Sequence, residues 1–165
     1  MSLSGMLRVI DASSIIHGWD NYPPKQFPGL WDWLEHEVDA KNLKIPRVAF
    51  EEVDHKLPDC AQWLQDNDVE KIPVSSDILR ISVHIHSLLG ISGDDYGPGV
   101  GENDIIIIAT AMALGVELIS NENRQRNLPK NRKKYQIPAV CGMPGVGVSC
   151  INFLEYLRQS GRVFR

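Results

Sequence analysis

The chain has 165 residues, of which 43% are hydrophobic and 23% charged, and these values predict one globular domain with a sizeable core. The formal net charge of −4 excludes a nucleic-acid binder that works through bulk positive charge, although a local basic patch stays open. No apolar run reaches the roughly 18 residues of a membrane helix, no secretion signal is recognisable, and three cysteines without a CxxC pair predict reduced thiols in the cytoplasm.

Strands and helices alternate in the first half of the chain. Residues 1–5 are expected to be a cloning remnant or a disordered start, and residues 7–159 a single domain. A buried strand is predicted over residues 7–10, followed by a helix from about Ser14 to Trp19. Further helices are predicted over residues 29–43, 48–56, 58–67 and 75–89, with Pro46 where the second of them can begin. A second strand is expected over residues 69–73.

The second half continues the alternation. The Gly-rich stretch 90–101 predicts a loop, but not a phosphate-binding loop, because no Gly-Lys-Ser/Thr follows it. Residues 105–114 predict a helix buried on most sides, since the apolar run is long and stops at Gly115. Strands over 116–120 and 146–152, a basic segment over 123–136 and a helix over 153–159 complete the chain. The order predicts an α/β fold with three α/β/α layers and a largely parallel central sheet.

Acidic residues stand at the ends of several apolar elements. Asp11 and Glu122 each follow a predicted strand, and the carboxyl ends of parallel strands are where ligand sites gather. Asp104 opens a helix, where the helix dipole stabilises its charge. Glu52 follows an apolar segment, and its neighbour Glu51 is the alternative candidate for the same role. Converging carboxylates repel unless a cation lies between them, so the pattern suggests a Mg²⁺ or Mn²⁺ site and phosphodiester hydrolysis. For Asp11 and Asp104 the simpler alternative is a helix-start role.

The order and spacing of these segments resemble the PIN domain, the fold of a family of metal-dependent ribonucleases. The resemblance rests on Val9-Ile10-Asp11-Ala12-Ser13-Ser14, on Glu52 six residues after Pro46, on Asp104-Ile105-Ile106-Ile107-Ile108-Ala109-Thr110-Ala111 and on Gly115 to Glu122. It spans residues 7 to about 157, and the segments 27–35 and 148–157 are similar to one poorly characterised PIN-like branch. Ala12 stands where the family usually has Thr, and Glu122 where it usually has Asp.

The resemblance implies a metal-dependent endoribonuclease that hydrolyses RNA with Mg²⁺ or Mn²⁺. Asp11, Glu52, Asp104 and Glu122 would be the catalytic and metal-binding residues. Many similar proteins are VapC-like toxins of toxin–antitoxin pairs, which implies a small antitoxin partner, and a homodimer is also compatible. Because Ala12 and Glu122 depart from the pattern, the alternative is a catalytically degenerate PIN-like module that binds RNA or protein.

Polar and basic residues near the acids are candidates for substrate binding. Ser13 could orient Asp11 or touch a phosphate, and Asn121 could donate to phosphate oxygens, although residue preference favours an ordinary capping or turn role for an Asn in that place. The basic segment after Glu122 could bind an RNA backbone, and the alternative is a solvated loop. The predicted RNA contacts in it are Arg132, Lys133 and Lys134, with Tyr135 as a base-stacking residue.

Overall fold

A parallel sheet forms the centre of the protein, which was analysed as a computed structural model that describes residues 5–165. The expectation for residues 1–4 therefore lies outside the described residues. Within the described part, five strands pair in the order β3-β2-β1-β4-β5, and every pair is parallel. The strands are β1 (Arg8–Ile10), β2 (Leu43–Pro46), β3 (Lys71–Ile72), β4 (Glu117–Ile119) and β5 (Cys150–Ile151).

Helices connect the strands and cover the sheet. They are α1 (Ala12–Asn21), α2 (Pro28–Asp39), α3 (Arg47–Lys56), α4 (Pro58–Asp66), α5 (Ser76–Leu88), α6 (Glu102–Leu114), α7 (Ile137–Cys141) and α8 (Phe153–Ser160). A 3-10 turn lies at Arg132–Lys134. No helix within residues 5–165 combines the length and the apolar character needed to cross a membrane. The architecture confirms the predicted α/β fold with a parallel central sheet.

Strand β1 is the middle of the sheet and the centre of the core. All three of its residues are buried, and it pairs with β2 through Arg8 and Leu43 and with β4 through Ile10 and Ile119. Val9 and Ile10 have no exposed surface. A strand that is covered on both faces needs apolar residues at successive positions, and this explains why two apolar residues follow one another here. The chain runs from β1 outwards in both directions across the sheet. The strand order therefore reverses between β1 and β4, and in open α/β sheets the carboxyl ends of the strands at such a point are where ligands bind.

The structure differs from the predicted elements at β2, α7 and β5. Residues 43–46 form a strand, where the sequence suggested the end of one helix and the start of the next. The preceding helix ends early because Lys41 adopts a positive φ of 64°, and pairing with β1 then extends the strand that begins two residues later, at Leu43. Helix α7 was not predicted, since its five residues are too few for a periodic pattern. Strand β5 is shorter than predicted, because Gly145 and Gly147 turn the chain with φ values of 88° and 60°.

Candidate active site

Asp11 is a buried carboxylate at the carboxyl end of the central strand. Only 2% of the residue is exposed, and its backbone N–H donates to the carbonyl of Ile119 at 2.8 Å. Its side-chain oxygen Oδ2 accepts hydrogen bonds from the hydroxyls of Ser13 at 2.6 Å and Ser120 at 3.0 Å. Asp11 occupies the N-cap position of α1, yet within the described residues its side chain makes no capping hydrogen bond. The helix-start alternative therefore does not explain this carboxylate.

The surroundings of Asp11 favour its protonated form. The pKa of Asp11 is raised from 3.8 to about 6, chiefly by burial, while the hydrogen bonds from Ser13 and Ser120 oppose the rise. The negative charges of Asp104 and Glu122 also contribute to the raised value. Burying a carboxylate costs free energy unless a compensating charge is near. The position is therefore one where a cation would be stabilised.

Asp104 lies in the first turn of α6, where it does have a helix-start role. Its Oδ2 accepts a hydrogen bond from the backbone N–H of Gly101 at 3.0 Å. Burial raises the pKa of Asp104, the Gly101 hydrogen bond lowers it, Glu52 raises it and Lys56 lowers it. The capping role and the electrostatic contact with Glu52 exist together, so one role does not exclude the other.

Glu122 and Glu52 complete the group. Partial burial raises the pKa of Glu122, and the charges of Asp104 and Glu52 raise it further, whereas Lys56 lowers it. Glu52 on α3 is half-buried, while its neighbour Glu51 is exposed. The structure therefore favours Glu52 over Glu51 as the member that faces Asp104 and Glu122.

These electrostatic contacts link Asp11, Glu52, Asp104 and Glu122 into what we call the carboxylate cluster. Asp11 is affected by Asp104 and Glu122, and both of these are affected by Glu52. A lysine accompanies them: the ammonium of Lys56 lies 3.4 Å from Oε2 of Glu52. Lys56 was not predicted as a site residue, although its position four residues after Glu52 places both on one face of a helix. Ser120 was not predicted either, because in the sequence it is only a hydroxyl residue at the end of a predicted strand.

The donors of the carboxylate cluster fit Mg²⁺ or Mn²⁺ in chemistry, because all are oxygens. Their positions are not yet those of a ligand shell. Within residues 5–165, no three His, Cys, Asp or Glu side chains are arranged as a bound metal ion would require. Glu52 is drawn towards Lys56, which supplies a positive charge beside the acids. An ion would therefore need side-chain movement before it could bind several of these carboxylates.

The predicted polar residues Ser13 and Asn121 form a network beneath Asp11. The hydroxyl of Ser13 accepts the backbone N–H of Asn121 at 2.9 Å while it donates to Asp11. The side-chain oxygen of Asn121 accepts the hydroxyl of Ser14 at 2.6 Å and the backbone N–H of Phe153 at 2.9 Å. Asn121 thereby ties α1 to the start of α8. Ser13 is placed to orient the Asp11 carboxylate.

The three predicted basic contacts have different surroundings. Arg132 donates from Nη1 to the carbonyl of Leu88 at 3.1 Å, close to the end of α5. Lys133 forms an ion pair with Asp95 at 2.9 Å, and this contact holds the pKa of Asp95 below its usual range. Lys134 is exposed. Two of the three side chains thus already hold neighbouring segments in place.

Solved structures with the same fold cover nearly the whole chain. DNA-bound VapBC from Salmonella typhimurium matches with a TM-score of 0.55 at 13% identity, over 90% of this chain and 98% of that one. FitAcB from Neisseria gonorrhoeae matches with a TM-score of 0.51 at 12% identity, over 90% and 99%. VapBC2 from Rickettsia felis, bound to a DNA fragment from its promoter, matches with a TM-score of 0.50 at 18% identity, over 89% and 98%. At these identities the likeness shows the fold, which is PIN-like.

Sequence comparison adds a family to this fold. No curated protein matches the chain. The family described as "Domain of unknown function (DUF4411)" matches residues 9–164, from the first strand to the segment after α8. The matched region contains all members of the carboxylate cluster. The chain therefore belongs to the DUF4411 family.

Proposed function

We propose that this protein is a metal-dependent endoribonuclease that hydrolyses RNA phosphodiesters, and that it is the toxin of a toxin–antitoxin pair. The observation that carries the proposal is the carboxylate cluster near the carboxyl ends of β1 and β4. Burial raises the pKa values of Asp11, Asp104 and Glu122, and the negative charges of neighbouring members of the cluster raise them as well. Acids whose pKa values are raised by burial and by nearby like charges are a physical signature of functional sites.

In this proposal Asp11, Glu52, Asp104 and Glu122 hold Mg²⁺ or Mn²⁺. The ion, when bound, supplies a water of lowered pKa and offsets negative charge on the phosphate. Ser13 and Ser120 favour the ionised form of Asp11 and fix its orientation through Oδ2. Lys56 supplies a positive charge beside the acids through its ion pair with Glu52, and Glu52 would leave that pair to hold an ion. With a pKa of about 6, Asp11 is mostly ionised at pH 7 and can serve as a ligand.

An antitoxin is the proposed protein partner. The solved structures with the same fold include VapBC and FitAcB complexes, and their fold extends over about nine-tenths of this chain. A small protein that covers the carboxyl ends of β1 and β4 would keep RNA away from the carboxylate cluster. A second copy of the chain is a further proposed partner, as expected from the sequence resemblance.

Calorimetric titration with Mn²⁺, together with cleavage of single-stranded RNA, tests the proposal. The wild-type protein should bind Mn²⁺ and cleave RNA, and EDTA should abolish cleavage. Glu52→Gln should weaken both, because it removes a charge that faces Asp104 and Glu122. The matched control is Glu51→Gln, which changes the exposed neighbour on the same helix and should leave both unchanged. No Mn²⁺ binding by the wild-type protein would contradict the proposal.

The second candidate is a catalytically degenerate module that binds RNA or protein. It is favoured by the finding that no three acids within residues 5–165 surround an ion position, and by Ala12 and Glu122 at the departing positions. Lys56 would then be the permanent counter-charge of the acids. This candidate predicts RNA binding without Mn²⁺ binding and without cleavage.

A further inference from the structure

A surface pocket lies beside the segment that leaves β4 and is closed on one side by α7. Its volume is about 590 Å³, within the roughly 300–1,000 Å³ that is usual for ligand sites. Residues from three separate stretches line it, and those that matter here are Leu88, Arg126, Arg132, Tyr135, Pro138 and Met143. We call this space the Tyr135 pocket.

The lining of the Tyr135 pocket combines an aromatic ring, an apolar surface and positive charge. Tyr135 is half-buried, and Pro138 and Met143 add apolar area. Arg126 and Arg132 supply two guanidinium groups, and no acidic residue of the described chain is among the lining residues. In a chain with a net charge of −4, a pocket with only positive charges selects for an anion. A ring beside cations suits a planar base attached to a phosphate.

The pocket is held to the end of β4 by Gln125. The side chain of Gln125 accepts the backbone N–H of Gln136 at 2.8 Å and donates to the carbonyl of Lys134 at 2.9 Å. Both ends of the amide are therefore used on the backbone that flanks Tyr135. Since Gln125 follows Glu122 by three residues, this clamp ties the backbone around Tyr135 to the segment that carries Glu122.

The loop before α6 holds the pocket from the other side. Gly99 donates its backbone N–H to the carbonyl of Lys133 at 2.9 Å, and Val100 donates to that of Tyr135 at 2.9 Å. The contact requires glycine, because a Cβ at Gly97 would lie 2.7 Å from the carbonyl oxygen of Lys133, and one at Gly99 would overlap that of Tyr135. Close packing of the two backbones thus explains why these glycines are present, although they form no phosphate-binding loop. They allow the backbone of residues 133–135 to pack against the loop that leads directly to Asp104.

We propose that the Tyr135 pocket binds one nucleotide of single-stranded RNA next to the bond that the carboxylate cluster cleaves. The base lies against Tyr135 and the apolar surface, and Arg126 and Arg132 bind the adjoining phosphates. Arg132 is held by its bond to the carbonyl of Leu88, which leaves further N–H donors of the guanidinium for a ligand. This inference rests on the proposed function, because it names a part of the substrate that the same site would take.

Binding of a fluorescently labelled short oligouridylate, followed by anisotropy in EDTA, tests the proposal without cleavage. Tyr135→Leu removes the aromatic face and should weaken binding by about tenfold, whereas Tyr135→Phe should keep it. Arg126→Gln changes an exposed side chain, so the fold should be unaffected, and it should flatten the log–log salt dependence by about 0.7. The matched control is Arg80→Gln, which changes an exposed arginine that pairs with Asp77 and does not line the pocket.

Unchanged RNA affinity and salt dependence in both Tyr135→Leu and Arg126→Gln would overturn the proposal and leave the pocket to a protein partner. The outcome is separable from that of the proposed function. If the wild-type protein cleaves RNA with Mn²⁺ while the pocket variants bind normally, only the pocket proposal fails. If the wild-type protein does not cleave, yet the pocket variants lose affinity, the nucleotide site stands and the nuclease proposal fails.

Discussion

The hydroxyl of Ser120 donates to Oδ2 of Asp11 at 3.0 Å, so the end of β4 supports the carboxylate at the end of β1. This contact stabilises the ionised form of a buried acid. Ser120→Ala should therefore lower the free energy of unfolding by about 2 kcal/mol near pH 8, and by less near pH 5, where Asp11 is protonated. Urea denaturation at the two pH values measures the difference.

Ser149→Ala is the matched control for this prediction. Ser149 also donates from its hydroxyl to a carboxylate, Oε2 of Glu117 at 2.6 Å, but it is exposed. Its replacement should change the free energy of unfolding by no more than about 0.5 kcal/mol. Equal losses in the two variants would show that burial of the Ser120–Asp11 contact is unimportant.

The raised pKa of Asp11 predicts how the stability of the metal-free protein depends on pH. The folded state holds the proton up to about pH 6, whereas the unfolded chain releases it near 3.8. Stability should therefore fall as the pH rises from about 4 to about 6, and then level off. The shift corresponds to about 3 kcal/mol. Asp11→Asn should lack this part of the slope, and a wild-type slope in the variant would contradict the assignment.

Asp104→Asn should abolish RNA cleavage and leave the metal-free fold at least as stable. The amide oxygen can still accept from Gly101, while a partly buried charge that repels Glu52 is removed. Glu102→Gln, an exposed change in the same helical turn, is the control and should keep full cleavage. Thermal melting in EDTA and an RNA cleavage assay provide the two measurements. Cleavage at the wild-type rate by Asp104→Asn would refute its catalytic role.

The basic segment allows a graded prediction for RNA binding. If Arg132, Lys133 and Lys134 all touched phosphates, replacing the three with Ala would flatten the log–log salt slope by about two units. Because Asp95 already neutralises Lys133, we expect Lys134→Ala to lower the slope by about 0.7 and Lys133→Ala to lower it less. Anisotropy titrations at several salt concentrations give these slopes. A larger effect from Lys133 would mean that its ion pair opens when RNA binds.

Elements with long, regular patterns could be predicted from the sequence, whereas β2 and α7 could not. Helix α6 was predicted because its apolar run exceeds the length of a strand and ends at Gly115, which adopts φ 65°. Strand β2 was missed because Leu43 continues the helical spacing of the segment before it and Pro46 suits a helix start, while the extended conformation of Leu43–Pro46 follows from pairing with β1. Local propensity carries little information where tertiary pairing decides.

The residues of the candidate site were likewise predictable from the sequence only in part. Asp11 and Glu122 were indicated by strand ends, which follow from the order of elements alone. The electrostatic contacts of Lys56 with Asp104 and Glu122 depend on how α3 packs near α6 and β4, which no local pattern encodes. From the sequence alone, a helix-capping role was an equally good alternative for Asp11 and for Asp104. Only the hydrogen bonds separated them, because Asp104 accepts a backbone N–H and Asp11 does not.

Because the strands are short, the sheet extends only a short distance along the strand direction. At about 3.3 Å per residue, Arg8 at one end of β1 lies only about 10 Å along the strand from Asp11 at the other. Arg8 is held by Glu117 at 3.2 Å and by Gln159 at 2.8 Å, and Glu117 begins the strand that Ser120 follows. The two strands that support Asp11 are thus anchored by an ion pair at their opposite end. If that ion pair were displaced, the movement would be transmitted to the acids through three residues of rigid backbone. The positions of the acids therefore depend on contacts at the opposite edge of the sheet.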